Sequence, residues 1–248
     1  MRPDGLSPPR RVAMLAHDRQ EGSPVTPLHS AQARFDAVIF DLDGTLLATE
    51  RMVIETGEAA LLRMGRPAPD GLLASLVGID EPTSRGILRG HLGEDFDFAR
   101  LDHLWAEALI ERRDRDGILL RPHVRDLLDI LRAAGMPFAI ATSSTAAQAR
   151  EKLAAAGLTD SFDIVVTRSD VPLPKPAPDV YLLAARRLGI TPDRCLAFED
   201  SDVGAIAARA AGMIVVQVPD MVPLSGKHAD YLASDLIAGA RGIGLLAA

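Results

Sequence analysis

Two aspartates one residue apart, Asp41 and Asp43, stand at the end of the apolar run Ala37-Val38-Ile39-Phe40, with Gly44 and Thr45 after them. Crowded carboxylates in apolar surroundings are unfavourable unless a cation or a chemical task compensates them. Their spacing places both on one face of a strand that stays extended, and Gly44 lets the backbone turn sharply. Other apolar runs lead into groups of the same character. "PFAIATSS" ends at Thr142, Ser143 and Ser144; "FDIVVTRSD" leads to "LPKPAPD" with Lys175; "RCLAFEDS" ends at Glu199, Asp200 and Ser201. Carboxylates, a lysine and hydroxyls in one crevice suit a hard divalent cation and an anionic, oxygen-rich group. Mg²⁺ takes a few carboxylates plus phosphate oxygens. Asp41, a backbone carbonyl near Asp43, and Asp200 can supply the protein's share. A cation there keeps the carboxylates ionised despite their crowding.

The same groups suit a displacement at phosphorus. A carboxylate such as Asp41 can attack and form an aspartyl-phosphate, splitting one hard step into two. Asp43 then gives a proton to the leaving oxygen and later removes one. Lys175 neutralises the phosphoryl oxygens, and Thr142 with nearby N–H groups holds them. Gly44, Thr45, Ser143 and Ser144 complete the expected phosphate side. Each residue has a plainer reading. Asp-Gly alone marks a solvated turn. Thr142 and Ser143 suit a helix cap, although a helix N-terminus is also a phosphate site. Lys175 alone is a loop lysine, but Pro174 and Pro176 stiffen its loop. Glu199 and Asp200 complement a helix start, as does Asp202. Cys195 reads as a small hydrophobe, His91 and His123 lack ligand spacing, and Trp105 reads as helix core. The coincidence of all the strand tips favours chemistry over these separate accounts.

Those tips need a scaffold, and the chain alternates strand and helix from Phe35 onward. "FDAVIFD" is a short apolar run closed by Asp-Gly, the pattern of a buried parallel strand. Helices are expected over 123–135, 145–158, 177–190 and 202–213, with glycine stops or a proline start at several of their ends. Strands are expected over 137–144, 162–170, 194–201 and 213–219. This order predicts an α/β fold, a doubly wound parallel sheet whose ligands bind at the carboxyl ends of the strands. Residues 50–118 break the rhythm with helix-like stretches such as "IETGEAALLRMG" and "RLDHLWAEALIERRD". They read as an inserted helical cap, leaving 34–49 and 119–248 as a discontinuous core. Residues 1–33, with Pro3, Pro8, Pro9, Pro24 and Pro27, read as a flexible tail, a leader of unknown purpose or an over-extended start.

"DLDGT" (41–45), "ATSS" (141–144), "KPAPD" (175–179) and "EDSDVG" (199–204), in this order, resemble the haloacid dehalogenase superfamily, in its phosphatase and β-phosphoglucomutase-like branch. The resemblance runs from residue 35 to about 240 and implies a Rossmann-like core with a small helical cap. It implies Asp41 as nucleophile, Asp43 as general acid/base, Thr142 as phosphate binder, Lys175 as charge neutraliser, and Asp41, Asp43, Glu199 and Asp200 around Mg²⁺. The namesake dehalogenases lack the second aspartate, so Asp43 points to phosphorus. Two departures stand out. Ala48 precedes Thr49-Glu50 where many relatives carry an acid. Glu81 falls near the place where sugar-phosphate mutases of the family use a cap arginine, with Arg85 four residues on as the candidate substrate contact.

Composition narrows the classes further. The chain has 248 residues, 48% hydrophobic and 25% charged, with net charge −7. Nucleic-acid binding leaves a basic footprint, and none is present. A single cysteine permits no internal disulfide and suits a reducing compartment. No apolar stretch approaches the roughly 20 residues of a membrane span. The expected protein is a cytoplasmic, Mg²⁺-dependent phosphatase of a small phosphorylated metabolite, monomer or homodimer. The alternatives are a sugar-phosphate mutase, a non-catalytic phosphate-binding regulator, and a receiver domain phosphorylated by a kinase. The intact Asp43 and Lys175 speak against the regulator, and the helical insert with Glu199-Asp200 against the receiver.

Overall fold

In the computed structural model, residues 34–77, 81–221 and 224–247 are described. The tail expected over 1–33 lies outside them. Among the described residues, six parallel strands form one sheet in the order β3-β2-β1-β4-β5-β6. Their ranges are β1 Ala37–Phe40, β2 Phe138–Ala141, β3 Val165–Val166, β4 Cys195–Glu199, β5 Ile214–Gln217 and β6 Tyr231–Leu232. β1 is buried along its whole length, because a central parallel strand is covered on both faces. Alternation along it feeds two cores. Val38 and Phe40 pack with α4 (Val124–Ala133), α5 (Ala146–Ala155) and α8 (Leu236–Gly242). Ala37 and Ile39 pack with α6 (Asp179–Leu188) and α7 (Asp202–Ala210) on the other face.

Register sets the site. Phe40 lies opposite Ile140 on one side and Phe198 on the other. Asp41, Thr142, Glu199 and Asp200 therefore leave the sheet along one edge. This is the carboxyl edge, where parallel α/β sheets hold ligands.

Between β1 and α4 run α1 (Thr49–Arg63), α2 (Glu81–Leu92) and α3 (Phe98–Asp116). They enclose an apolar cluster of their own, with Ile54, Leu61, Leu73, Leu88 and Leu101. The two connections to the sheet pair with each other: Ala48 N–H donates to Leu119 O and Arg121 N–H to Leu46 O, each at 2.9 Å. No helix among the described residues is long and apolar enough to cross a membrane.

Two expectations need correction. The strand expected over 162–170 pairs only at Val165 and Val166, because a short 3₁₀ turn at Arg168–Asp170 takes over the backbone. β6 and α8 were not anticipated; a strand of two exposed residues leaves no alternation to read.

Candidate active site

Asp41 continues the β1–β4 ladder, its N–H donating to Phe198 O at 2.9 Å. Its carboxylate faces inward, and Lys175 Nζ donates to Asp41 Oδ1 at 2.6 Å and to Glu199 Oε1 at 2.6 Å. Tyr181 O–H donates to the same Glu199 oxygen at 2.6 Å, and Lys175 sits 4.8 Å from the centre of the Tyr181 ring. The other Glu199 oxygen accepts from Ser201 Oγ at 3.0 Å and from the N–H groups of Asp200 and Ser201. Glu199 thus spends both oxygens on protein donors, and its first role is to hold Lys175 against Asp41.

Asp41, Glu199 and Asp200 are buried with carboxylate oxygens within 4.8 Å of one another. Burial, with help from Glu199, pushes the Asp41 carboxyl up to about 7, against the pull of Lys175. Asp200 is pushed well up by burial and by its two carboxylate neighbours. Burial alone would lower Lys175, but Asp41 and Glu199 outweigh it and hold the ammonium charged. Three carboxylates against one lysine leave an excess of negative charge in a dry place. Hard oxygen donors with that excess fit a divalent cation.

Asp43 keeps different company. β1 ends at Phe40, so the one-residue gap does not hold both aspartates on one strand face. Gly44, at φ +80°, turns the chain, and a Cβ there would collide with the Asp200 carboxylate. The Asp43 carboxylate accepts from Thr49 Oγ1 at 2.9 Å, from Ser144 Oγ at 2.8 Å and from Lys152 Nζ at 2.7 Å on each oxygen. Its side chain is therefore not brought into the carboxylate cluster, and only its backbone remains for the metal role expected at this position.

The hydroxyl side is well ordered. Thr142 is buried, and its Oγ1 accepts the Ser144 N–H at 3.0 Å. Thr45 Oγ1 donates to Asp200 at 3.2 Å, and Ser143 is exposed at the mouth. Thr142 and Ser143 do not cap α5. Thr145 does, in a capping box with Gln148, which leaves the two upstream hydroxyls to the site. Ser201 rather than Asp202 caps α7. Arg85 is not brought to the site. It forms a two-pronged pair with Asp102 at 2.9 and 3.2 Å and lies 5.2 Å from the Phe98 ring, inside the helical layer.

The haloacid dehalogenase-like hydrolase profile matches residues 35–212. The chain belongs to this family. Hexitol phosphatase A of Escherichia coli is 36% identical over 188 residues, 75% of this chain and 83% of that protein. The fructose-1-phosphate phosphatase of the same organism is 34% identical over 216 residues, 75% of this chain and 97% of that protein. A Deinococcus radiodurans hydrolase of the family, crystallised with phosphate and sodium, has TM-score 0.72 at 28% identity, covering 87% of this chain and 99% of that one. This dehalogenase-like hydrolase is a phosphate monoester hydrolase.

Sequence reasoning missed several of its residues. Lys152 sits in the middle of α5, 109 positions from Asp43, and nothing in its neighbours marks it. Thr49 opens α1 and Tyr181 lies in the first turn of α6, and neither position by itself marks a partner at the site. Gly204 had a readable signal: a glycine in the first turn of a helix. A Cβ there would collide with Glu199, so glycine lets α7 close over that carboxylate.

Proposed function

We propose that this hydrolase is a Mg²⁺-dependent phosphatase of a small phosphorylated metabolite, a sugar phosphate or phosphoglycolate-like ester, acting through an aspartyl-phosphate on Asp41. The observation that carries the reading is the division of labour between two aspartates. Asp41 lies against Lys175 in the buried carboxylate cluster. Asp43 is held apart by Lys152, Ser144 and Thr49 at the edge of a cleft.

Lys175 and the Thr142–Ser144 turn receive the phosphoryl oxygens, and an Asp41 oxygen attacks phosphorus in line with the ester bond. That bond breaks, and Asp43 hands its proton to the departing alkoxide. Asp43, now a carboxylate, takes a proton from water as the water attacks the phosphorus. The bond to Asp41 breaks, inorganic phosphate leaves, and both aspartates are restored. Mg²⁺ held by Asp41 and Asp200 would supply charge neutralisation for the phosphoryl oxygens. Residues 50–118 act as the cap, closing through the paired connections at Ala48 and Leu119 to exclude water. A mutase must grip a second phosphate, and the pairing of Arg85 with Asp102 supports the phosphatase instead. The named phosphatases among its relatives point the same way.

The test is phosphate release across phosphorylated sugars and small acids, with Mg²⁺, with excess chelator, and with Asp41→Asn. Release is expected from a narrow set, lost in chelator, restored by Mg²⁺ and absent in the variant. Full release in excess chelator would remove the metal from the reading, and release by Asp41→Asn would remove the nucleophile.

A further inference from the structure

A second set of contacts fixes where Asp43 stands. Thr49, which donates to Asp43 at 2.9 Å, is the first residue of α1. The next residue, Glu50, accepts the Met221 N–H at 3.2 Å. Met221 belongs to the loop that leaves β5. That loop starts beside the carboxylate cluster, where Val218 N–H donates to Glu199 O at 2.7 Å. The start of α1 is thus tied to Asp43 on one side and to the β5 loop on the other.

Arg121 closes the ring. Its N–H donates to Leu46 O at 2.9 Å, in the connection that leads from Asp43 to α1. Its guanidinium crosses to the β5 loop, with Nη1 2.5 Å from Asp220 Oδ1 and Nη2 2.8 Å from Pro219 O. The Arg121 and Asp220 side chains are only 15% and 7% exposed, so water screens their attraction little. An exposed pair would add little, whereas a buried one is costly to break. One residue therefore grips both connections between the sheet and the helical layer, and also the loop on which Glu50 rests.

We infer that Arg121 is a positioning residue for the reaction. By fastening the β5 loop to the two connections it fixes the first turn of α1, and through Thr49 it aims Asp43 at the leaving oxygen. This rests on the phosphatase reading, with Asp43 as the proton carrier, and gives Arg121 no contact with the ester. The grip has a defined form. Arg121 Nε and Asp220 Oδ2 are buried and have no hydrogen-bond partner among the described residues, so the pair is one-pronged. The head group gives one donor to a carboxylate and one to a carbonyl. A lysine ammonium has three donors and can serve the same two acceptors, which it does poorly at a two-pronged pair.

The experiment measures kcat/KM on the full chain with Mg²⁺, below the melting temperature. The two esters are the alkyl phosphate that the parent hydrolyses best and 4-nitrophenyl phosphate, whose leaving group needs no proton. The variants are Arg121→Met, the double variant Arg121→Met/Asp220→Leu, and Arg121→Lys, each checked for folding by circular dichroism. The double variant guards against unfolding, because an apolar pair in place of a buried ion pair is often neutral for stability. With either Arg121→Met variant, kcat/KM is expected to fall about tenfold or more on the alkyl phosphate. On 4-nitrophenyl phosphate the fall should stay below about threefold. Arg121→Lys is expected to recover most of the loss. Equal losses on the two esters in a folded variant would make Arg121 a structural brace and overturn the inference, as would unchanged rates on both. Arg121→Lys no better than Arg121→Met would overturn the two-donor grip. No release from either ester by the parent would instead overturn the phosphatase reading, and this inference with it.

Discussion

The surroundings of Asp41 and Asp43 differ as a dry interior differs from a doorway. The Lys175 and Glu199 side chains beside Asp41 are 4% and 1% exposed, whereas Lys152 and Asp43 are 27% and 32% exposed. Each aspartate has a lysine at close range. One lysine is locked by a second carboxylate and an aromatic ring, while the other borders an open cleft. A nucleophile benefits from fixed geometry and excluded water. A proton carrier must meet an alcohol and then a water, and needs access to both.

The largest effect should come from the dry side. Lys175→Met leaves Asp41 and Glu199 facing each other without their cation. Breaking a buried pair costs about 3–5 kcal/mol, so thermal unfolding should drop sharply and phosphate release should vanish. A variant that melts like the parent would contradict the contrast. On the open side, Asp43→Asn should cost about 10²–10⁴-fold in kcat/KM on alkyl phosphates. The loss should be far smaller on 4-nitrophenyl phosphate, whose nitrophenolate leaves without a proton. Equal losses on both esters would deny Asp43 the acid role.

Lys152→Met tests whether the doorway lysine aims Asp43. About tenfold loss on alkyl phosphates is expected, again spared on 4-nitrophenyl phosphate, with stability changed by less than about 1 kcal/mol. Lys152→Arg should recover part of the rate.

The buried cluster also makes a pH prediction. The folded Asp41 carboxyl, at about 7, is raised from the usual 3.8, so between those values the folded state binds more protons than the unfolded chain. Its contribution to stability in the metal-free protein therefore falls as pH rises through that window. Asp200, shifted the same way, adds to it. Added Mg²⁺ should raise the melting temperature more at pH 7 than at pH 5; equal gains at both would argue against a site built on these carboxylates. The smallest effect belongs to Thr145→Ala. It removes the α5 cap, costs about 1 kcal/mol of stability in thermal unfolding, and should leave phosphate release below the melting temperature unchanged.

How much of this was legible from residue order depends on range. Asp41, Thr142, Lys175, Glu199 and Asp200 sit at the ends of strongly patterned segments, and a parallel sheet brings such ends together by topology. That pattern also marked the helical stretch after β1. Lys152, Thr49 and Tyr181 gave no local signal, because their partners are set by side-chain direction across packed elements. Arg85 misled for the same reason. Its position suggested a substrate contact, and Asp102 on the neighbouring helix claimed it.

The sequence by itself determined the strand and helix order of the sheet through β5, the acidic strand tips and the chemistry they permit, since periodicity and turn residues act locally. Only the tertiary structure decided that Glu199 serves Lys175, that Asp43 answers to Lys152, and that Asp102 claims Arg85. Those facts depend on which charges meet across the fold, and burial decides how strongly each pairing is enforced.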